Sequence, residues 1–290
     1  MKNRVIITLA AIVIATLSSC NDKEKIEIDH NTYYPYSQPS FVTSVAQAES
    51  MSHDLLTTAL EFATDTSLRN FSGYPIVTST SDTSFPRTIS IDFGNSDTTT
   101  LLHTSLNDFR TRSGILNVTL SDDWHTTGSN MVITATSLRL SNTMTFTGVL
   151  EFANRGTRTY QSKPCYVFDF VTNNATVTKN DGYSFRYSAT KMYYFVDGDT
   201  TENLSDDVFH ISGTASAVRD TNHINISIIG PYYAPRSCYW FKSGTADATE
   251  NSIRWTFSFD NSTCSPLAYL IFRIINGETY NEMKRYIELP

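Results

Sequence analysis

Thr88-Ile89-Ser90-Ile91-Asp92-Phe93-Gly94-Asn95 decides the fold. Apolar Ile89, Ile91 and Phe93 alternate with polar Ser90 and Asp92, and the run stops at Gly94-Asn95. A period of two with a turn signal behind it describes a strand with one buried face. The pattern recurs along the chain. Leu116, Val118 and Leu120 alternate with Asn117 and Thr119, and Phe146, Gly148, Leu150 and Phe152 with Thr147, Val149 and Glu151. Ile224, Ile226 and Ile228 follow the same rule, as do Trp255, Phe257 and Phe259. Ser113-Gly114, Thr127-Gly128, Arg155-Gly156, Asp181-Gly182, Asp197-Gly198, Gly230-Pro231 and Asn276-Gly277 read as turns between strands. No helical pattern recurs between them, so parallel crossover units are not expected. The expected class is all-β: an antiparallel meander, arranged as a sandwich or an open barrel, over residues 44–290.

One helix precedes these strands. Met51, Leu55, Ala59 and Ala63 repeat every four residues, with Leu56 and Leu60 beside them, and Ser44 with Gln47 suggests a capping box. The expectation is a helix from Ser44 to about Thr64 that plugs or flanks the sheet. Two short echoes suggest related halves near 75–160 and 161–290. Thr145-Phe146-Thr147-Gly148 resembles His210-Ile211-Ser212-Gly213, and Ile89–Gly94 resembles Phe257–Asn261.

The N-terminus carries a different signal. Lys2 and Arg4 precede an apolar run from Val5 to Leu17, followed by Leu17-Ser18-Ser19-Cys20. A basic head, a short apolar core and small residues before the cut make a secretory signal, and the run is too short for a spanning helix. The cysteine directly behind the small pair makes it a bacterial lipoprotein signal over residues 1–19, with the Cys20 thiol as acyl acceptor. Several acyl chains anchor stably where one anchors marginally. Residues 20–43 read as a tether: Tyr33–Pro39 holds two prolines, and Asn21-Asp22-Lys23-Glu24-Lys25 resembles the acidic signal that sends Bacteroidota lipoproteins to the outer face of the outer membrane. The expected location is the cell envelope, lipid-anchored, at the outer membrane and exposed at its surface.

Lysine and arginine number 22 against 29 acids, a formal charge of −7. That excludes the basic stripe nucleic acid needs and leaves membrane contact to the lipid. Of four cysteines, Cys20 goes to lipid. An exported protein tolerates a disulfide. Cys238 and Cys264 flank one hairpin region and are the expected pair, whereas Cys165, in a strand-like run, is expected to stay a buried thiol.

Several of these segments resemble a family of uncharacterised Bacteroidota lipoproteins. The resemblance rests on Pro75-Ile76-Val77-Thr78, on Phe85-Pro86-Arg87-Thr88-Ile89-Ser90-Ile91-Asp92-Phe93-Gly94 and on Arg110-Thr111-Arg112-Ser113-Gly114. Asp206-Asp207 before the strand ending at Gly213, Cys238-Tyr239-Trp240 with Gly244, and Asp260 with Cys264 extend it over roughly 75–285. Many members have a further cysteine after the position of Gly94, where this chain has Asn95-Ser96. The resemblance implies an exported β-rich lipoprotein and no particular activity.

No motif of nucleophilic, zinc-protease or phosphate-binding chemistry is present. Asp123 and His125 have two-ligand spacing without a visible third ligand, so no metal or other cofactor is expected. Asp122-Asp123 and Asp206-Asp207 could suggest glycoside chemistry, but adjacent acids on a strand point to opposite faces. Asp197-Gly198-Asp199 begins like a calcium loop and lacks its later positions. No catalytic site is therefore expected. Tyr193-Tyr194-Phe195, Tyr232-Tyr233 and Tyr239-Trp240 are the aromatic runs, with Tyr193, Tyr232 and Trp240 as candidate ligand contacts. Two functions stand: a structural or protein-binding envelope lipoprotein, and a glycan-binding accessory lipoprotein. A hydrolase stands third.

Overall fold

The switch from a period of four to a period of two at about Pro75 appears directly in the architecture. A computed structural model describes residues 40–70, 75–81, 83–95, 99–100, 110–141, 143–199, 201, 204–238, 240–250, 253–260, 264, 266–276 and 279–290. The expected lipoprotein signal, Cys20 and the expected tether as far as Pro39 lie outside the described residues. Helix α1 spans Ser40–Thr64. It starts four residues earlier than expected, which takes Ser44 out of the capping position and into the helix. The strands are β1 (Ile76–Ser79), β2 (Arg87–Asp92), β3 (Thr99–Thr100), β4 (Thr111–Leu120), β5 (Asn130–Leu140), β6 (Met144–Tyr160) and β7 (Lys163–Lys179). They continue as β8 (Ser184–Asp197), β9 (Val208–Arg219), β10 (Asn222–Pro235), β11 (Ser243–Glu250), β12 (Ile253–Asp260), β13 (Leu267–Asn276) and β14 (Thr279–Glu288).

The fold is all-β with one N-terminal helix. A single antiparallel sheet runs in chain order from β1 to β14, with β3 pairing β4 to one side, and it is not closed into a barrel. The sheet passes unbroken through residues 160 and 161, the tips of the β6–β7 hairpin, so the suggested halves meet inside one hairpin. Three turn signals prove to be something else. Gly114 lies within β4, Gly156 within β6 and Gly230 within β10, each at a register shift. An extra residue at such a bulge bends the strand and tightens its twist. Glycine serves here because Gly114 has φ of +95°, and a Cβ would collide with the Ser137 carbonyl. The same conformational freedom that suits a turn suits a bulge, so the glycines mark curvature in long strands.

The curved sheet wraps α1. The helix runs closest to β4 and β5; the side chains of Glu49 and Glu61 also reach β8 and the segment after β10, and Arg87 of β2 reaches the helix end. Every residue from Ser44 to Ala63 except Gln47 is buried. Apolar Val45, Met51, Leu55, Ala59 and Leu60 are joined inside by Ile89, Leu116, Ile133, Phe146, Phe170 and Ile226 from the strands. A helix buried all round is ordinarily apolar all round, yet α1 carries Glu49, His53, Asp54 and Glu61 into the core.

Each buried acid meets a strand-borne or loop-borne cation. Lys191 Nζ lies 2.9 Å from Glu49 Oε2, and the Tyr187 hydroxyl donates to Oε1 of the same carboxylate. Arg112 donates to Asp54 Oδ1 at 2.7 Å, and Arg110 donates to the same oxygen. Arg236 binds Glu61 at 2.6 Å with one nitrogen and Asp207 at 3.1 Å with another. At the end of α1, Arg87 Nη2 donates to the Ala63 carbonyl at 2.7 Å. That partner satisfies one of the carbonyls a helix terminus leaves open. Cys238 and Cys264 are disulfide-bonded with their Cα atoms 5.3 Å apart, and Cys165 is a buried thiol.

Removing one member of such a pair strands the other in the core at a cost of about 3–5 kcal/mol, whereas neutralising both costs much less. Lys191→Met should therefore lower unfolding stability by about that amount. The double variant Lys191→Met with Glu49→Gln, which keeps the bond to Tyr187, should recover most of it. Urea unfolding followed by circular dichroism checks the order.

The core also fixes a pH response. Burial, and then Lys191, Arg110 and Arg236, hold His53 at about 3 against an ordinary 6.5. As the pH falls from 6.5, the unfolded chain takes that proton and the folded one does not, so stability drops by about 1.4 kcal/mol per unit. Asp207 acts in the opposite sense. Burial, opposed by Arg236, raises its carboxyl to about 6 from 3.8. Between those values the folded state holds the extra proton and gains stability on acidification. His53→Phe removes only the first effect. Its stability relative to the wild type should rise by about 1.4 kcal/mol per unit as the pH falls from 6.5 to 4, measured by denaturant unfolding at each pH.

Candidate functional site

Alternation assigns each strand residue to the helix side or the outer side of the sheet. On β8, Phe185, Tyr187, Ala189, Lys191, Tyr193 and Phe195 face inward and are buried. Ser188, Thr190, Met192 and Tyr194 face outward. Register carries the outward positions across neighbouring strands. Tyr194 pairs with His210 on β9, and His210 pairs with Tyr233 on β10. Tyr160, at the end of β6, completes the row. Its ring stacks on Tyr194 with centroids 4.2 Å apart, and its hydroxyl lies 3.2 Å from His210 Nδ1. Tyr233 meets His210 edge to face at 5.5 Å. All four side chains are half-buried.

A cavity of about 220 Å³ adjoins this row, lined also by Lys163, Cys165, Asp197 and Val208. Burial raises the Cys165 thiol and the Tyr160 hydroxyl above their ordinary values and lowers His210 below its own. Tyr160 and His210 are therefore uncharged near neutral pH.

Further along the same face two polar rows cross five strands. Ser188, Ser216, Asn225, Thr249 and Arg254 are in register, and so are Thr190, Thr214, Ser227, Asp247 and Thr256. Nine of these ten line a groove of about 620 Å³. Asp247 is held in its floor. It accepts from Thr256 Oγ1 at 2.8 Å and from Arg254. Hydroxyl and amide side chains both donate and accept, so a surface of this kind pairs with a ligand of the same dual character.

The residues singled out in the sequence fall elsewhere. Tyr193 and Tyr232 are fully buried and face the helix. Their expectation as ligand contacts is corrected: in each aromatic pair the neighbour, Tyr194 or Tyr233, is the outward member. The alternation of Arg186, Ser188 and Thr190 with Phe185, Tyr187 and Ala189 already contained that phase. Trp240 donates to the Pro290 carbonyl at 3.0 Å and lies under the Arg110 guanidinium, so it works as a brace.

The acidic candidates are engaged in turns or in the core. Asp123 accepts from the His125 amide at 2.8 Å and stands 3.2 Å from its Nδ1, within one tight turn. Asp122 accepts from the Asp123 amide. Asp207 points inward to Arg236, while Asp206 accepts from the Thr201 hydroxyl at 2.9 Å. Asp197 accepts from the Gly198 amide. Among the described residues no group of three or more His, Cys, Asp or Glu side chains is placed to hold a metal ion. A second cleft, of about 870 Å³ beside the end of α1, contains Glu61, Arg87, Asp123 and His125. These side chains are the ones already committed to Arg236, to the helix end and to the 121–129 turn.

No family model, curated protein or solved structure matches the chain.

Proposed function

We propose that the protein is an exported lipoprotein, held in the cell envelope by acyl chains on Cys20, that acts by binding and takes a glycan on the outer face of β8–β12. The observation that carries this reading is the continuity, on one sheet face, of the row Tyr160, Tyr194, His210 and Tyr233 with the hydroxyl-lined groove. A sugar ring has an apolar C–H face and a rim of hydroxyls. Aromatic side chains with a polar tip meet the first, and Ser, Thr and Asn meet the second. Among the described residues the exposed large apolar side chains offer a protein partner no patch: Ile76, Val149, Ile229 and Leu267 sit on four strands that are not neighbours. Scattered apolar residues do not make a docking patch. The acids of Asp122-Asp123 and Asp206-Asp207 are occupied in turns or an ion pair, which supports binding without catalysis. The signal ending at Cys20 supports the anchor, and the resemblance to Bacteroidota lipoproteins agrees with it.

Two measurements test the proposal. Cys20→Ser should move the protein from the membrane to the soluble fraction, and a variant that stays with the membrane removes the anchor from the reading. In affinity electrophoresis through a panel of neutral and acidic polysaccharides, the wild type should be retarded by at least one. Tyr194→Ala with Tyr233→Ala should weaken that binding roughly five- to 150-fold, from about 1–3 kcal/mol for the two aromatic contacts together. A wild type that no polysaccharide retards sinks the glycan reading.

A further inference from the structure

We infer that the aromatic row and the hydroxyl groove are the two ends of one site, whose ligand is an uncharged glycan chain several sugar units long, lying obliquely across β8–β11. This rests on the glycan reading above and goes on to the length, direction and charge of the ligand.

Length and direction follow from register. On β8 the outward residues run Tyr194, Met192, Thr190, Ser188, and on β9 they run His210, Ser212, Thr214, Ser216 in step with them. No charged side chain interrupts this stretch between the row and the groove. Met192 links the two, since its sulfur accepts from the Tyr194 hydroxyl at 3.0 Å. From Tyr194 to Thr190 is four residues, roughly 13 Å at about 3.3 Å per residue. From β8 to Asp247 on β11 is three strand spacings, roughly 14 Å at about 4.8 Å each. The diagonal from the aromatic row to the floor of the groove is thus roughly 20 Å. One sugar ring covers a small part of that span, and a chain of several linked rings covers all of it. A chain held at the aromatic end alone would leave the two polar rows without work.

Charge follows from pairing. The two charged groups in the groove, Asp247 and Arg254, neutralise each other, and Thr256 holds the second oxygen of the carboxylate. At the aromatic end the cavity is lined by one cation, Lys163, and one acid, Asp197. With no net charge along the track, a uronate or sulfated chain gains nothing over a neutral one of equal length. The walls are short Ser, Thr and Asn side chains, so the groove accepts a chain along its length.

Isothermal titration of the wild type with gluco-, manno- and xylo-oligosaccharides of two, four, six and eight units tests the inference, with oligogalacturonates of the same lengths as the charged series. For at least one neutral series the affinity should rise at least ten-fold from two to six units and then level off. Thr214→Arg, which puts a long side chain in the middle of the groove, should abolish that rise. Thr214→Val with Thr249→Val, which keeps strand-forming residues, should reduce the rise at an unchanged melting temperature. Affinity independent of length, or a rise that survives both groove variants, overturns the single continuous site while polysaccharide retardation still stands. Tighter binding of the oligogalacturonates overturns the neutral ligand. Absence of binding to every oligosaccharide and every polysaccharide in the panel overturns the underlying reading as well.

Discussion

The fold turns on carrying the carboxylates of Glu49, Asp54 and Glu61 into a core. An unpartnered buried charge is costly enough that it has to be met where it lies. The partners sit far apart on the sheet: Lys191 on β8, Arg110 and Arg112 at the start of β4, and Arg236 after β10. Only a sheet that curls round the helix can deliver all of them, and the bulges at Gly114, Gly156 and Gly230 give it curvature. The pairs also guard register. A slip of one residue in β8 would turn Lys191 outward and Met192 inward, leaving Glu49 alone. Such pairs add little net stability compared with apolar packing, but they penalise wrong arrangements heavily.

Much of this was legible in the chain. Ile89, Leu116, Phe146, Ile224 and Phe257 each announced a strand and its buried face, because one side of every strand meets an apolar interior. The helix was legible from Met51, Leu55, Ala59 and Ala63. Its complete enclosure was not, because Glu49, Asp54 and Glu61 look like a solvated face until their partners are known. A clue existed in Lys191, which occupies an inward position among apolar residues, and in Arg110-Thr111-Arg112, whose arginines clasp Asp54. The glycine turn signals were half right. Gly128 and Gly182 do turn the chain, while Gly114, Gly156 and Gly230 bend it within a strand. Local sequence specifies a positive φ or a loosened backbone, and only pairing decides whether that ends a strand.

The candidate site shows the same division. Aromatic doublets such as Tyr193-Tyr194 and Tyr232-Tyr233 declare that one ring is inside and one outside. Which is which depends on the phase of the whole strand, set by residues several positions away. The polar rows were less legible still. Ser188, Thr214, Asn225 and Thr249 are ordinary strand residues one by one. They become a surface only through hairpin registers that no single stretch of sequence states.

Apart from β2 and β4, which pair across the intervening β3, every sheet pairing joins strands consecutive in the chain, so most of the sheet can assemble hairpin by hairpin from local pairings, which favours quick formation. The helix is bound by a different schedule. Its Asp54 pairs with a residue 56 positions on, and its Glu61 with one 175 positions on. The helix therefore meets its last partner only once the segment after β10 exists, and until then Glu61 keeps its carboxylate in water. An order in which the centre precedes its wrapping suits a helix that stays water-compatible through its own acids while the strands gather round it.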